Sequence, residues 1–347
     1  DPNLLPSSFH DRPLVLSKLN GLILHFGSLR NYVFPLYPWA IERFDVSAFD
    51  LVISSCPPVM GVNVRQDAVH VCYCHTPQHS WWDAYAEHQS KLSSLKRNVY
   101  VQAAVFHRMW EFQAMQRVDH IIANSNYVAR RIHKYFRRRS TVIYPPVNTS
   151  VGYLEPQTED YYLTVSRLTR NKRIDLLIDA CNLLKRRLVI VGTGPHEAEL
   201  KARAGSTVEF AGRLPDEQMW PVYAKCRAFL FASDEDFGMA PVEAQAFGRS
   251  VIAYGYGGSL ETVRVNDPIG RSDTGTYFRE QTVPSVVDAI RSFEANESQF
   301  APGEIQQHAR QFDVSVFSEK MRQFVHSALQ EQAALYPATG VRSMPNR

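Results

Sequence analysis

The sequence predicts an α/β protein built from two Rossmann-like, doubly wound domains. Three observations carry this. Short apolar runs alternate with amphipathic stretches along the chain, as they do where parallel strands are joined through crossover helices. Several of the runs are apolar on both faces, which a strand sandwiched between two helix layers requires. The length, 347 residues, exceeds what a single hydrophobic core ordinarily takes.

Strands are expected at Leu51–Ser54, Ala68–Tyr73, His120–Ala123, Tyr161–Val165, Leu188–Val191, Val208–Ala211, Ala228–Ala232 and Ser250–Ala253. Helices are expected near Lys91–Met115, Asn126–Tyr135, Ile174–Lys185, Pro195–Ala204, Asp216–Lys225, Pro241–Phe247, Val283–Glu294 and Val314–Gln332, the last after a loop containing Pro302 and Gly303. Tyr144-Pro145-Pro146-Val147, followed by the polar and aperiodic Asn148–Asp160, reads as a linker. It divides a first domain, 1–150, from a second, 151–313, followed by a final helix over 314–332 and a tail over 333–347. The opening DPNLLPSSFHDRPL is turn-rich, so the first strand is Leu51–Ser54. The N-terminal domain is therefore expected to lack its first βα unit, roughly 30 residues by the size of such units.

Bulk composition narrows the function classes. With 45% hydrophobic and 21% charged residues, the chain is an ordinary globular protein. A net charge of +3 is too small to argue for a nucleic-acid partner. No apolar stretch reaches the ~18 residues of a membrane span, and no signal-peptide pattern opens the chain. The five cysteines form no paired CxxC, so neither a disulfide framework nor a zinc site is predicted, and a reducing, cytoplasmic setting fits best. Cys72 and Cys74 fall on one strand face. The segment Arg130–Arg139, RRIHKYFRRR, holds six cations and no acid. It is either a solvated helix end or a patch for an anionic membrane surface or phosphorylated acceptor.

The chemistry concentrates in residues 228–263, AFLFASDEDFGMAPVEAQAFGRSVIAYGYGGSLETV. A buried strand ends in the acidic loop Ser233–Gly238. Pro241 suits the first position of the next helix and Gly248 the residue just past its end. Glu235 then lies on the loop, and Glu243 in the helix's first turn. A second turn, Gly257-Gly258-Ser259, opens another helix N-terminus, so two such ends line one crevice suited to phosphate. A carboxylate has acceptors for both hydroxyls of a ribose, which suits Glu243; another, Glu235, could hold a sugar hydroxyl. Backbone N–H groups of Phe237, Gly238 and Met239 add donors. The alternative for Glu243 is an acid complementing the helix dipole.

Glu235 and Glu243, separated by seven residues, resemble the E-x7-E element of family-4 (GT4) glycosyltransferases. Ser166-Arg167-Leu168 with Asn171-Lys172 resembles the strand-end Arg and Lys that hold the donor diphosphate there. Val191-Gly192-Thr193-Gly194-Pro195 and Phe210-Ala211-Gly212-Arg213 stand where the family has its GxGP and F-x-G elements. Tyr73-Cys74-His75-Thr76-Pro77 with Trp82-Asp83, Ala123-Asn124-Ser125 and Tyr144-Pro145-Pro146-Val147 are similar to bacterial polysaccharide mannosyltransferases. The resemblance runs from about Phe34 to Val325. Where that subgroup reads approximately HTPMRYAWD, this chain reads HTPQHSWWD, with His79 and Ser80 departing from the pattern.

The resemblance implies a GT-B fold, two Rossmann-like domains around a central cleft, with the last helix crossing back to the first domain. It implies retention of anomeric configuration and transfer of a hexose, mannose from GDP-mannose, to a polyprenyl-diphosphate-linked or other saccharide. It also implies no metal cofactor, and a cytoplasmic site of action, peripheral at the inner face of the membrane. His75, Arg167, Lys172 and Glu235 would be catalytic; Gly212, Arg213, Phe237, Gly238, Met239 and Glu243 would bind the donor. Two other readings are a non-catalytic sugar-nucleotide binder and a nicotinamide-dependent oxidoreductase. The latter is disfavoured because Gly192-Thr193-Gly194 lacks the third glycine of G-x-G-x-x-G.

Overall fold

The computed structural model describes residues 13–17, 36–266 and 272–336. The turn-rich opening falls mostly on 1–12 and 18–35, so the expectation of a missing first βα unit lies outside the described residues. So does the expected tail from 337 onward. Strands are β1 (Leu51–Ser55), β2 (Val69–Cys74), β3 (His120–Ala123), β4 (Thr141–Val142), β5 (Tyr162–Val165), β6 (Leu188–Val191), β7 (Val208–Gly212), β8 (Ala228–Phe231), β9 (Val251–Tyr254) and β10 (Gly275–Phe278). Helices are α1 (Tyr37–Glu42), α2 (Tyr85–Ser90), α3 (Ser94–Arg117), α4 (Asn126–Phe136), α5 (Ile174–Leu184), α6 (Glu197–Arg203), α7 (Asp216–Lys225), α8 (Met239–Ala246), α9 (Ser259–Thr262), α10 (Val283–Asn296), α11 (Pro302–Ala309) and α12 (Val314–Leu335).

The chain forms two compact units. The first takes residues up to Ile122, Ile132–Ser140 and the segment from Ser327; the second takes Ala123–Arg131 and Thr141–His326. Helices α4 and α12 each give residues to both.

One sheet has the order β1-β2-β3-β4, with Leu51 of β1 opposite Val69 of β2 in parallel. Every residue of β2 is buried, Cys72 and Cys74 included, and all five cysteines are free thiols. His70 in this strand contacts Ser54 Oγ at 2.9 Å; burial pushes its imidazole down to about 4. The helix expected at Lys91–Met115 is α3, and the shorter α2 before it was not expected. The chain breaks before Ser93, which sits extended (φ −64°, ψ 159°) at the N-cap of α3, a position serine favours over a helix interior. In the first unit, Gln332 of α12 donates to the carbonyls of Gln66 (3.0 Å) and Ala68 (3.4 Å).

The second unit holds a six-stranded sheet of order β10-β9-β8-β5-β6-β7, whose neighbouring pairs are all parallel. This is the doubly wound order, and its switch point lies between β5 and β8. Apolar clusters cover both faces: Leu177, Leu188, Ile190, Ile290 and Phe293 belong to one, and Leu163, Phe229, Tyr223 and Phe247 to the other.

The loop expected around Pro302 and Gly303 is helix α11. Pro302 takes its first position, where a missing N–H leaves nothing unsatisfied, and Ile305 and Ala309, four apart, are buried. Just beyond it, Asp313 ties the linker to α12. Partial burial pushes its carboxyl up, but hydrogen bonds from Ser315 Oγ (2.6 Å), Thr149 Oγ1 (2.7 Å) and the N–H groups of Ser315 (2.9 Å) and Thr149 (3.2 Å) outweigh this and hold it at about 2. A depressed folded-state value adds stability that is present above the unfolded value of 3.8 and lost as pH falls through about 2. Asp313→Asn is expected to cost ~1–2 kcal/mol at neutral pH, a gap that narrows below about pH 4. Urea melts of both proteins across pH check this; a gap independent of pH would contradict it.

Among the described residues, no helix is long and apolar enough to cross a membrane.

Candidate active site

The loops after β5 and β8 leave the sheet at the switch point, and a lysine joins them. The loop after β5 runs through Ser166 and Arg167 to a short turn, Arg170–Lys172, closed by Arg173 in the left-handed region (φ 51°). Lys172 Nζ pairs with Glu235 Oε1 on the loop after β8, both side chains mostly shielded from solvent. Two of the predicted catalytic residues, sixty-three positions apart, thus meet where parallel sheets bind ligands.

Glycines set these loops. Gly192 (φ +131°) and Gly194 lie against the backbone after β5: an added Cβ would come within 1.9 Å of Ser166 O and 2.3 Å of Leu168 O. Ser166 N–H donates to Val191 O (3.0 Å) and Leu168 N–H to Thr193 O (3.0 Å). The two glycines of this turn are therefore required by the backbone of the neighbouring loop, which packs against both. Gly257 and Gly258 do the same for the acidic loop. Gly258 N–H donates to Glu235 O at 2.8 Å, and a Cβ there would sit 2.3 Å from Phe237 Cα.

Beside the switch point, at the carboxyl ends of β5, β6 and β7, lies a cavity of about 470 Å³. Val165, Val191, Leu214 and Met219 give it apolar walls, and Arg167 and Arg213 both line it. Both arginines are exposed. Gly212, before Arg213, needs its lack of a side chain for φ +67°. Two guanidinia over an apolar floor suit a group with a base at one end and a diphosphate at the other.

Helix α8 begins earlier than expected. Gly238 (φ +84°) is its N-cap and Met239 its first residue. Pro241 is therefore third, still among the N–H groups a helix leaves unpaired, and Glu243 is fifth, past the first turn. That position weakens the dipole explanation of Glu243. At the far end Gly248 is left-handed (φ +72°), and Gly248→Gln245 and Arg249→Ala244 bonds of 2.9 and 3.1 Å close the helix. The second helix end, α9, is a single turn, too short for a macrodipole, and the N–H of its N-cap Gly258 is given to Glu235 O. Phe237 is buried against Tyr144 and Phe312; its ring anchors the loop and leaves only its backbone for a ligand. Met239 is exposed.

Glu243 accepts a 2.6 Å hydrogen bond from Tyr223 OH. Burial raises its carboxyl above the usual range, the tyrosine offsetting part and Asp216 adding to it. If Glu243 holds a ribose, Glu243→Ala should weaken donor binding by on the order of 1–3 kcal/mol. Wild-type affinity should also fall as pH drops through that raised value, because the protonated carboxyl loses acceptor capacity. Donor titrations at several pH values check both; an acid limb persisting in the variant would remove Glu243 from the site.

His75 belongs to the first unit. It follows β2 exposed, with Nε2 2.9 Å from Ser55 Oγ and its ring edge-on to Tyr73. Three partners were not visible in the sequence. Tyr223 could have been found, since it follows Met219 by one helical turn in α7. Arg131, buried, donates to Asp236 Oδ1 at 2.9 Å, so one cation of the basic segment holds the acidic loop; its spacing from the buried Val128 and Ile132 was the available signal. Glu261 accepts from the N–H groups of Asn126 and Tyr127, both at 2.8 Å, and from Tyr144 OH at 3.1 Å, capping α4 from α9.

Residues 149–312 match the family described as glycosyl transferases group 1, and residues 8–151 match glycosyltransferase family 4. The alpha-1,3/1,6-mannosyltransferase of Kluyveromyces lactis is 27% identical over 75% of this chain and 61% of its own length. The O-antigen chain mannosyltransferase C of Escherichia coli is 31% identical over 39% of this chain and 42% of its own. The chain thus spans less than two thirds of these relatives. Among solved structures, the sucrose-phosphate synthase of Thermosynechococcus elongatus superposes with a TM-score of 0.68 at 17% identity, covering 87% of this chain and 80% of that one. With the motif order and the doubly wound six-stranded sheet, these matches place the chain among the family-4 (GT4) glycosyltransferases, of GT-B fold with two Rossmann-like domains.

Proposed function

We propose that the chain catalyses a retaining, metal-independent transfer of mannose from GDP-mannose to a polyprenyl-diphosphate-linked saccharide at the inner membrane face. One observation supports a nucleotide-sugar site: Lys172 bridges to Glu235 across the switch point, beside a cavity lined by Arg167 and Arg213. In this reading Arg167 and Lys172 stabilise the charge that builds on the departing diphosphate. Glu235 accepts from a hydroxyl of the transferred sugar, and Glu243 from the ribose. The backbone of Phe237, Gly238 and Met239 and the Gly212-Arg213 turn complete the donor contacts. His75, which belongs to the first unit, would act on the transferred sugar, a role that the resemblance alone supports.

The acceptor oxygen attacks the anomeric carbon on the face the diphosphate leaves, and a departing phosphate oxygen takes the acceptor's proton. Metal independence is supported by the acids of the D-E-D loop already holding cations of the chain, Lys172 on Glu235 and Arg131 on Asp236. The choice of mannose is supported by the names of the relatives. A panel of GDP- and UDP-sugars, read by thermal shift and nucleotide release with and without EDTA, tests the proposal. Tighter binding of a UDP-sugar than of GDP-mannose would reject the donor, and loss of turnover in EDTA would reject the mechanism.

A further inference from the structure

A row of stacked rings leaves the core of the second unit and ends in solvent beside the loop that carries Glu235. It starts at Phe278, the buried last residue of β10. Tyr254, the last residue of β9, stacks on Phe278 with ring centroids 5.7 Å apart and planes inclined by 30°. Tyr256 stacks on Tyr254 in turn, at 5.7 Å and 20°, and is 45% exposed. Tyr127, at the start of α4, meets Tyr256 edge-on at 5.8 Å. All four residues belong to the second unit.

The turn that carries the outer ring is tightly fixed. Tyr256 N–H donates to Tyr254 O (2.8 Å) and Gly255 N–H to Phe278 O (2.9 Å), and Ser259 Oγ–H donates to the carbonyls of Tyr254 and Tyr256. One exposed tyrosine is ordinary. An exposed tyrosine backed by two further rings and held by its own turn presents a rigid, flat, apolar face.

The groups at the edge of that face say what it takes. A Cβ added to Gly257, the residue after Tyr256, would lie 3.0 Å from Asp234 Oδ1 and 2.5 Å from Glu235 O, so the rings border the acidic loop and its exposed Asp234. Burial, and then the charge of Asp234, push the hydroxyls of Tyr127 and Tyr254 up, so both remain protonated donors. A flat apolar face rimmed by phenols and a carboxylate matches a pyranose, whose C–H groups gather on a face and whose hydroxyls radiate from its edge. A nucleobase would stack as well, but the cavity with Arg167 and Arg213 is at the ends of β5, β6 and β7. In the order β10-β9-β8-β5-β6-β7 the rings lie on the opposite side of the loop after β8, about one strand spacing, ~4.8 Å, beyond it.

We propose that Tyr254 and Tyr256, with Asp234, form a subsite for a pyranose ring of the saccharide acceptor. This rests on the donor reading above: with the nucleoside in the cavity and the transferred hexose at Glu235, the next ring along the sheet edge is the one to which the hexose is joined.

Saturation-transfer NMR with the full chain and the methyl glycosides of mannose, glucose and galactose tests it. At least one glycoside should bind, with saturation strongest on the C–H groups of one ring face. Tyr256→Leu keeps apolar bulk without the flat ring and should weaken that binding roughly tenfold, whereas Tyr256→Phe should stay within about twofold. Asp234→Asn should weaken it about fivefold. The thermal shift given by GDP-mannose should be the same in all three variants as in the wild type. Donor binding with no glycoside signal, or with a signal that Tyr256→Leu leaves unaltered, overturns the subsite and leaves the donor reading standing. A signal that depends on Tyr256 with no nucleotide-sugar binding keeps the saccharide subsite and overturns the donor reading. Loss of the GDP-mannose shift in Tyr256→Leu but not in Tyr256→Phe would assign the rings to the transferred sugar and overturn the acceptor role.

Discussion

Lys172→Met is expected to lower kcat by roughly 10²–10³-fold while changing donor affinity far less. Methionine keeps most of the length of lysine and removes the charge, so packing of the turn at Arg170–Lys172 should survive. In the proposed mechanism, what is lost is a cation placed where the leaving diphosphate gathers charge, a contribution larger in the transition state than in the bound donor. The variant also strips Glu235 of the cation on its Oε1. Lys172→Arg should not restore the rate fully, because a planar fork does not reproduce a compact ammonium. Single-turnover kinetics with saturating donor measure the effect. A fall in affinity with kcat unchanged would make Lys172 a binding residue only.

Gly258→Ala is expected to cost about 3 kcal/mol of stability and to remove most donor binding. The reason is steric: an alanine Cβ would lie 2.3 Å from Phe237 Cα, 2.5 Å from its N and 2.5 Å from its O. These are backbone atoms, so no side-chain rotation relieves the clash. Either the Gly257-Gly258 turn or the Asp234–Phe237 loop has to move, and the 2.8 Å bond from Gly258 N–H to Glu235 O goes with it. Phe237 cannot follow freely, because its ring is buried against Tyr144 and Phe312. Chemical denaturation and donor titration together check this. Normal stability with lost binding would show that the loop yields cheaply; normal binding would show that its position does not matter to the donor.

The parts of the fold legible in the sequence are those whose burial is continuous. Strands β6 and β8, LVIV and AFLF, are buried at every residue, so their apolar runs announce them. Strand β10, GTYF, lies at the sheet edge with Thr276 and Tyr277 only half-buried, and its pattern is too short to read. Helix α11 was hidden by Pro302 and Gly303, which mark a loop when taken without the buried Ile305 and Ala309. In the site, the residues whose spacing is local could be read: Glu235, Glu243, and the glycines around them. Their partners could not. Tyr223 on Glu243, Arg131 on Asp236 and Glu261 on α4 are pairings between distant segments: helical spacing marks Tyr223 and Arg131 as inward-facing, but not the acid that each one meets.

The pairing of Lys172 with Glu235 has a consequence for selectivity and turnover. A ligand that offers only an anion draws Lys172 away and leaves a half-buried carboxylate without its cation, a penalty set against its own binding. A ligand carrying both a diphosphate and a sugar hydroxyl satisfies the two groups at once. Under the proposed function, the intact donor is therefore favoured over the nucleotide left after transfer, and the return of Lys172 to Glu235 would help that nucleotide depart.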